Sequence, residues 1–320
     1  MALHPPTDPY LFYQLFGLPF LTVHWYGVII MSGAALAAWM CARRAKNQGY
    51  DPEHVWNTLM IGLVVSIICA RVYYVAFEWR RFAGRPILEI INPATGGIAI
   101  HGAIVGAIAA AIGYAYFNKL PILRWLDICV PGLLLGQAVG RWGNFFNQEA
   151  YGRPTSLGFG VDIDQQYRLP PYNDMQAYPP GTLFHATFLY ESLWNFAGVG
   201  LLLWLDRRFG AGAPAERRWL RPGDLLAIYA IFYSIGRFFV EGLRTDSLCT
   251  NGVGGECVGT LRAAQIASLV LIAVGAAAIA LNHARRLPPT EPSAPTADQF
   301  PAPPTVVADL DAQQPAGANE

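Results

Sequence analysis

Seven apolar runs, each about long enough to cross a bilayer, set the terms on which this chain can fold: Leu21–Ala42, Val55–Phe77, Ile98–Phe117, Leu126–Phe145, Leu183–Leu205, Leu225–Val240 and Ala263–Leu281. A hydrocarbon core about 30 Å thick takes roughly 20 residues of helix. Within lipid the backbone must satisfy its own hydrogen bonds, and a helix does so. At 53 % hydrophobic and 14 % charged residues, the chain lacks the polar surface that two soluble domains would need. The expected fold class is an all-α polytopic membrane protein with seven transmembrane helices. The first twenty residues contain no Lys or Arg and the first run is long enough to span, so no cleaved signal peptide is expected.

Basic residues orient the bundle, because short cytoplasmic loops retain Lys and Arg. Arg43, Arg44 and Lys46, then Lys119 and Arg124, then Arg207, Arg208, Arg217, Arg218 and Arg221, and finally Arg285 and Arg286 follow alternate spans. That side is read as the inside, with the N-terminus outside. The chain then divides into an interfacial segment 1–20, spans one to four over 21–145, an outer loop 146–182, spans five to seven over 183–286, and a Pro- and Ala-rich tail 287–320. The loop's aromatic content argues for an ordered cap, and the tail's composition for a disordered cytoplasmic segment. Trp79–Gly97 is read as a short outer connection. Gly102 and Gly106, and Gly132, Gly136 and Gly140, have the small-xxx-small spacing that lets helices approach closely. Cys41, Cys69 and Cys129 are read as small packing residues. Cys249 and Cys257 flank a Gly-rich outer loop and are expected to pair.

The polar residues inside the spans carry the chemistry, since ionisable groups in lipid are costly. Alternating helix direction and the rise per residue put Tyr26, His101, Glu191, Arg71, Arg141 and Arg237 in the outer half of the bilayer. The inner halves carry almost none, which weighs against a conducting path through both leaflets. Tyr233, Arg237, Glu241 and Arg244 recur at helical spacing and form one stripe. The fourth span ends in GRWGNFFNQEAYG, Gly140–Gly152, which delivers Arg141, Asn144 and Glu149 in quick succession. Two guanidinium groups at one depth suit a phosphate.

Each residue also has a plainer reading. Arg71 could pair with Tyr74 or Glu78 on its own helix. His101 could be a satisfied interior histidine, Glu191 a counter-ion for an arginine, and Tyr26 an interfacial aromatic. The residues by themselves reach an outer-leaflet pocket for an anionic phospholipid headgroup, with groups available for proton transfer. A transporter or flippase of an anionic lipid is the alternative, disfavoured by the apolar inner halves and the lack of an inverted repeat. An intramembrane hydrolase lacks a GxSxG-like nucleophile motif.

Gly140–Arg153 resembles the signature GRxGNFxNxExxG of prolipoprotein diacylglyceryl transferases. The similarity extends to HWYG (His24–Gly27), GGIAIHG (Gly96–Gly102), FHATFLYE (Phe184–Glu191) and YSIGRFFVEGLR (Tyr233–Arg244), covering about Leu15 to Leu281 in order. The resemblance implies a bacterial inner-membrane enzyme with a periplasmic N-terminus, a cytoplasmic C-terminus and a periplasmic cap. Its reaction moves the diacylglyceryl group of phosphatidylglycerol onto the lipobox cysteine of a preprolipoprotein signal peptide, forming a thioether and releasing glycerol phosphate. Its partners are those two substrates and the bilayer, with no nucleic acid, metal or cofactor. By matching positions it implies catalytic roles for His101, Arg141, Arg237, Glu149, Glu241 and Tyr233, and substrate binding by Tyr26, Asn144, Gly152, Glu191 and Arg244. His101 is the first choice as base for the thiol, with the carboxylates as rivals. The family's HPxQxYE motif here carries Ala186 and Phe188, while His185, Tyr190 and Glu191 remain.

Overall fold

The structure is a computed structural model that describes residues 1–13, 22–92, 96–249, 261–285 and 288–289. In chain order its helices are α1 (Trp25–Asn47), α2 (Glu53–Phe77), α3 (Trp79–Phe82), α4 (Ile87–Ile91), α5 (Ile100–Phe117), α6 (Ile122–Phe146), α7 (Thr187–Phe209), α8 (Asp224–Leu243) and α9 (Ala263–Ala284). All but the short α3 and α4 are long and apolar enough to span a membrane, and these seven match the seven runs to within a few residues at most ends. Cys257 and nearly all of the 287–320 tail lie outside the described residues, as do 14–21 of the N-terminal segment. Cys249 is disulfide-bonded, whereas Cys41, Cys69 and Cys129 are free thiols.

The central element is α6, which packs against α1, α7 and α8, while α2 pairs with α5 and α9 covers α8. Half of the apolar stretch of α6 (50 %) is buried in protein, against 11 % for α9, so α6 is the core and α9 faces outward. The glycine pairs make these approaches possible. A Cβ at Gly106 would stand 2.8 Å from Cys69 Cβ on α2, and one at Gly136 would stand 3.3 Å from Ala37 Cβ on α1.

Pro131 lies inside α6 and has no N–H to offer the carbonyl of Asp127, one turn back. Arg44 of α1 takes up the slack. Its Nη2 donates to Asp127 O at 3.2 Å and its Nε to Ile128 O at 3.0 Å, while Nη2 also pairs with Asp206 of α7 at 3.2 Å. The Asp127 side chain in turn accepts from Gly223 N at 2.7 Å and Leu226 N at 2.8 Å, satisfying the free donors at the start of α8. The ends of α1, α6, α7 and α8 remote from Arg141 are thus tied by buried polar contacts, in the half where the sequence pattern predicts almost no polar groups.

At the other end, the segment between α6 and α7 forms a cap with its own small core of Tyr151, Val161, Ile163, Tyr172 and Phe184. Its sheet has the order β1 (Ala2–Leu3), β4 (Gly160–Asp162), β5 (Leu183–Phe184), with β1 parallel and β5 antiparallel to β4. The first residues therefore complete the cap as a strand. A second ribbon pairs β2 (Tyr10–Phe12) with β3 (Val23–His24) at the entrance to α1. Gln148 fastens the cap to the end of α6, accepting from Asp164 N at 2.8 Å and donating to Asp164 Oδ2 at 2.7 Å.

Arg71 differs from the intrahelical pairing considered for it. Its guanidinium donates to the carbonyls of Glu89, Ile90, Gly96 and Gly97 at 2.5–2.9 Å, clasping α4 and the glycine pair that leads into α5. Tyr74 and Glu78 instead meet Arg81.

Replacing Arg44 by Met should orphan two buried carbonyls and leave Asp206 without its guanidinium partner, costing about 1–3 kcal/mol for each group left unsatisfied. The expected result is a marked drop in the thermal unfolding midpoint in detergent, measured against wild type.

Candidate active site

One end of the bundle collects the polar residues. Arg141 stands near the end of α6, Glu191 one turn into α7, and Arg237 and Glu241 in the last turns of α8. Glu191 is buried, and its two oxygens divide between two helices. Oε1 accepts from Arg237 Nη1 at 2.7 Å, and Oε2 pairs with Arg141 Nε. Arg237 Nη2 lies 2.5 Å from Oε2 of the buried Glu241, an ion pair in which no donor is aligned on that oxygen. Arg141 Nη2 reaches the Tyr233 hydroxyl at 3.5 Å. Four members of the predicted constellation, with Tyr233 beside them, therefore form one continuous network.

The frame around Glu191 is specific. Ser192 Oγ donates to Ala138 O at 2.9 Å and Trp142 Nε1 lies 3.2 Å from Ser192 Oγ, locking α7 to α6. Trp194 Nε1 donates to Phe232 O at 2.9 Å, locking α7 to α8. The α8 stripe continues one turn inward to Tyr229, whose hydroxyl accepts from Gln137 Nε2 at 2.9 Å. Gln137 lies one turn before Arg141, so two facing stripes run down α6 and α8. Gln137 stood out in the sequence as the lone polar residue of its run, and Tyr229 sits four residues before Tyr233. Ser192 and Trp194 gave no such signal.

Beyond α6 the chain turns sharply, with Gln148 and Ala150 in the left-handed region at φ 53° and 56°. This turn carries Glu149 back to accept from Asn144 Nδ2 at 2.9 Å. Tyr26, at the start of α1, lies against Gly143 and within electrostatic reach of Arg141 and Glu149. Gly152 then passes through a crowded point, where a Cβ would stand 2.6 Å from His185 Cβ and 3.2 Å from Leu243 O. A β-bridge joins Gly152 to Arg244 there. Arg244 forks onto Asp246, Nε to Oδ1 at 2.8 Å and Nη2 to Oδ2 at 2.5 Å, so this arginine also arrives with a carboxylate of its own.

His101 lies apart from this network. It is exposed at the start of α5, its ring stacks at 6.0 Å on Tyr73 of α2, and among the described residues no hydrogen bond or ion pair occupies it. The interior-histidine reading does not fit an exposed ring. Three arginines (Arg141, Arg237, Arg244) pair with three carboxylates (Glu191, Glu241, Asp246), so the guanidinium groups are already neutralised by the chain itself. An anion would be drawn by directed donors and not by net charge. Among the described residues Arg141 Nη1 and Arg237 Nε have no partner, and the two side chains keep 20 % and 19 % of their surface exposed. No group of three or more His, Cys, Asp and Glu among the described residues is placed to hold a metal.

A family model for prolipoprotein diacylglyceryl transferase matches residues 13–281. The chain belongs to the prolipoprotein diacylglyceryl transferase family. It is 60 % identical to a phosphatidylglycerol–prolipoprotein diacylglyceryl transferase of Chloroflexus aggregans over 94 % of this chain and 98 % of that relative. Similar enzymes of the same name from Bacillus velezensis and Thermosynechococcus vestitus are 44 % and 43 % identical over 83 % and 81 % of this chain, and over 89 % and 88 % of their own lengths. This family member is thus a multi-span membrane protein whose matched region takes in every spanning helix except the last residues of α9.

Burial would raise the Asp246 carboxyl, but the hydrogen bonds and charge of Arg244 outweigh it and hold the group below the usual carboxylate range. A depressed value contributes stability above the unfolded-state pKa of about 3.9 and loses it as pH falls through the lowered folded value. Unfolding of the Asp246→Asn variant should therefore depend less on pH than wild type below about pH 4 and run parallel to it above about pH 5. Parallel curves throughout would mean that the fork contributes nothing.

Proposed function

We propose that this chain transfers the diacylglyceryl group of phosphatidylglycerol to the thiol of the lipobox cysteine in a preprolipoprotein. The observation that carries the reading is the Arg141–Glu191–Arg237 bridge, with an unused donor on each guanidinium and residual exposure on both. The thiolate sulfur attacks the diacylglyceryl carbon bearing the phosphate ester. A C–S bond forms, the C–O bond breaks, and its electron pair leaves on the oxygen of glycerol phosphate. Charge grows on that phosphate in the transition state. Fixed guanidinium donors in a low-dielectric site stabilise it without reorganising.

Glu191 holds the two arginines at one spacing, and Glu241 keeps Arg237 from turning away. Tyr26, Asn144 and Tyr233 orient the headgroup by hydrogen bonds, Glu149 steadies Asn144, and Arg244 forms the rim where Gly152 brings the cap close. The thiol must lose its proton to become nucleophilic. His101, exposed and unoccupied, takes it, with both substrates lying between α5 and the arginines; no step calls for a metal or cofactor. The N-terminus, the cap and this end of the bundle lie outside, on the periplasmic face, and the C-terminus in the cytoplasm, a reading supported by the basic residues of the connections at the opposite end. Lipid reaches the site from the outer leaflet.

In a mixture of phosphatidylglycerol and a lipobox peptide, followed by the mass of the peptide, Arg141→Ala and Arg237→Ala should each lower the transfer rate by at least about 10² while the protein still inserts and elutes as wild type. Wild-type rates in both would remove the phosphate clamp. His101→Gln should lose about 10²–10⁴ in rate, the usual worth of a general base, with phosphatidylglycerol binding retained. An unchanged rate would pass the role to a carboxylate of the network.

A further inference from the structure

A groove of about 580 Å³ runs along the outward face of α2 beneath α3 and α4, far in sequence from the arginine network. Ile68, Val72, Val75, Trp79 and Ile91 line it, and Arg71 forms part of its wall. Its size falls in the range of roughly 300–1,000 Å³ typical of small-molecule sites. Since α2 is apolar and long enough to span, the groove opens toward the acyl region of the bilayer.

Charge distinguishes this groove from a merely greasy surface. Arg71 is 5 % exposed, yet its guanidinium meets only four neutral carbonyls and the Phe82 ring, 5.1 Å away, and no carboxylate. The nearby carboxylates are taken, Glu78 by Arg81 at 2.9 Å and Glu89 by Arg85 at 3.8 Å. Arg80, beside the groove-lining Trp79, is exposed and has no ion pair or hydrogen bond among the described residues. Arg71 in the wall of the slot, and Arg80 next in sequence to the lining Trp79, are thus left without an anion among the described residues. The exposed Ile87 and Leu88 of α4, at 72 % and 73 %, extend that slot into an interfacial surface.

We propose that this groove binds one intact anionic phospholipid, an acyl chain lying along α2 and the headgroup phosphate facing Arg71 and Arg80. A phospholipid meets both demands at once, since its tail fills apolar space and its phosphate supplies the missing negative charge. The site does not depend on the transfer reaction. It shares no residue with the Arg141–Glu191–Arg237 network, so either can fail without the other.

The test uses the full chain in detergent with a phosphatidylglycerol carrying a photoreactive group in its acyl tail, and maps the labelled peptides by mass spectrometry. Labelling is expected on residues of α2 and α4, separately from any label on α6 or α8. Unlabelled phosphatidylglycerol should compete it away about fivefold more effectively than phosphatidylcholine, the difference expected from roughly one added cation–anion contact near the surface. Arg80→Ala should narrow that difference, and Ile68→Trp, which fills the groove, should abolish the α2 label while leaving label on α6 and α8. Equal competition by phosphatidylcholine, or no label on α2 in wild-type protein, overturns the proposal whatever the variants do.

Discussion

Glu191 holds a single negative charge against two guanidinium groups from two other helices, and the end of the bundle beside the cap is arranged around that contact. Taking a carboxylate out of water is costly unless it is paired and fully hydrogen-bonded. With Arg141 on one oxygen and Arg237 on the other, Glu191 meets that condition. The same contact fixes the distance between the arginines, because both must reach one carboxyl group. Removing the acid would do more than delete a charge, since α6 and α8 would lose the link that sets their polar stripes face to face.

That link depends on contacts at the opposite end of the same helices. Pro131 leaves a carbonyl of α6 free, Arg44 fills the gap, and Asp127, on the same turn, holds the start of α8. Those contacts therefore set the depth of α8 relative to α6. Along α8 that depth decides whether Tyr233 and Arg237 stand opposite Arg141 and Glu191 or a turn away. Ser192, Trp142 and Trp194 fix α7 between the two in the same way. A polar site inside an apolar bundle needs such locks, because helices in lipid gain little from hydrophobic burial against one another.

Much of this was legible in the residues. Seven apolar runs gave seven spans because lipid admits few other backbones, and the Tyr233–Arg237–Glu241 spacing placed one polar stripe on one helix. Depth arithmetic brought Arg141, Glu191 and Arg237 to one level, where they meet. Partners were less legible than positions. Nothing in the spacing says that Glu191 is shared by two arginines, that Arg71 clasps backbone carbonyls, or that Asp246 takes the fork of Arg244. These pairings depend on how helices far apart in sequence are rotated against each other. Asp127 carries no such signal, because it sits in a mostly apolar run and its side chain acts through the start of a helix nearly a hundred residues later. The strand at Ala2–Leu3 was hidden for a related reason, since two residues carry no period and pair only once the cap exists.

The central claim is that Arg141 and Arg237 act as one clamp held by Glu191. The most direct measurement is a double-mutant cycle on the transfer rate, comparing Arg141→Ala, Arg237→Ala and the double variant with the same lipid and peptide. Residues that act as a unit are strongly non-additive. The account predicts a double variant within about tenfold of the slower single variant. Losses that add in full on the logarithmic scale would mean that the two arginines work independently and would contradict the account.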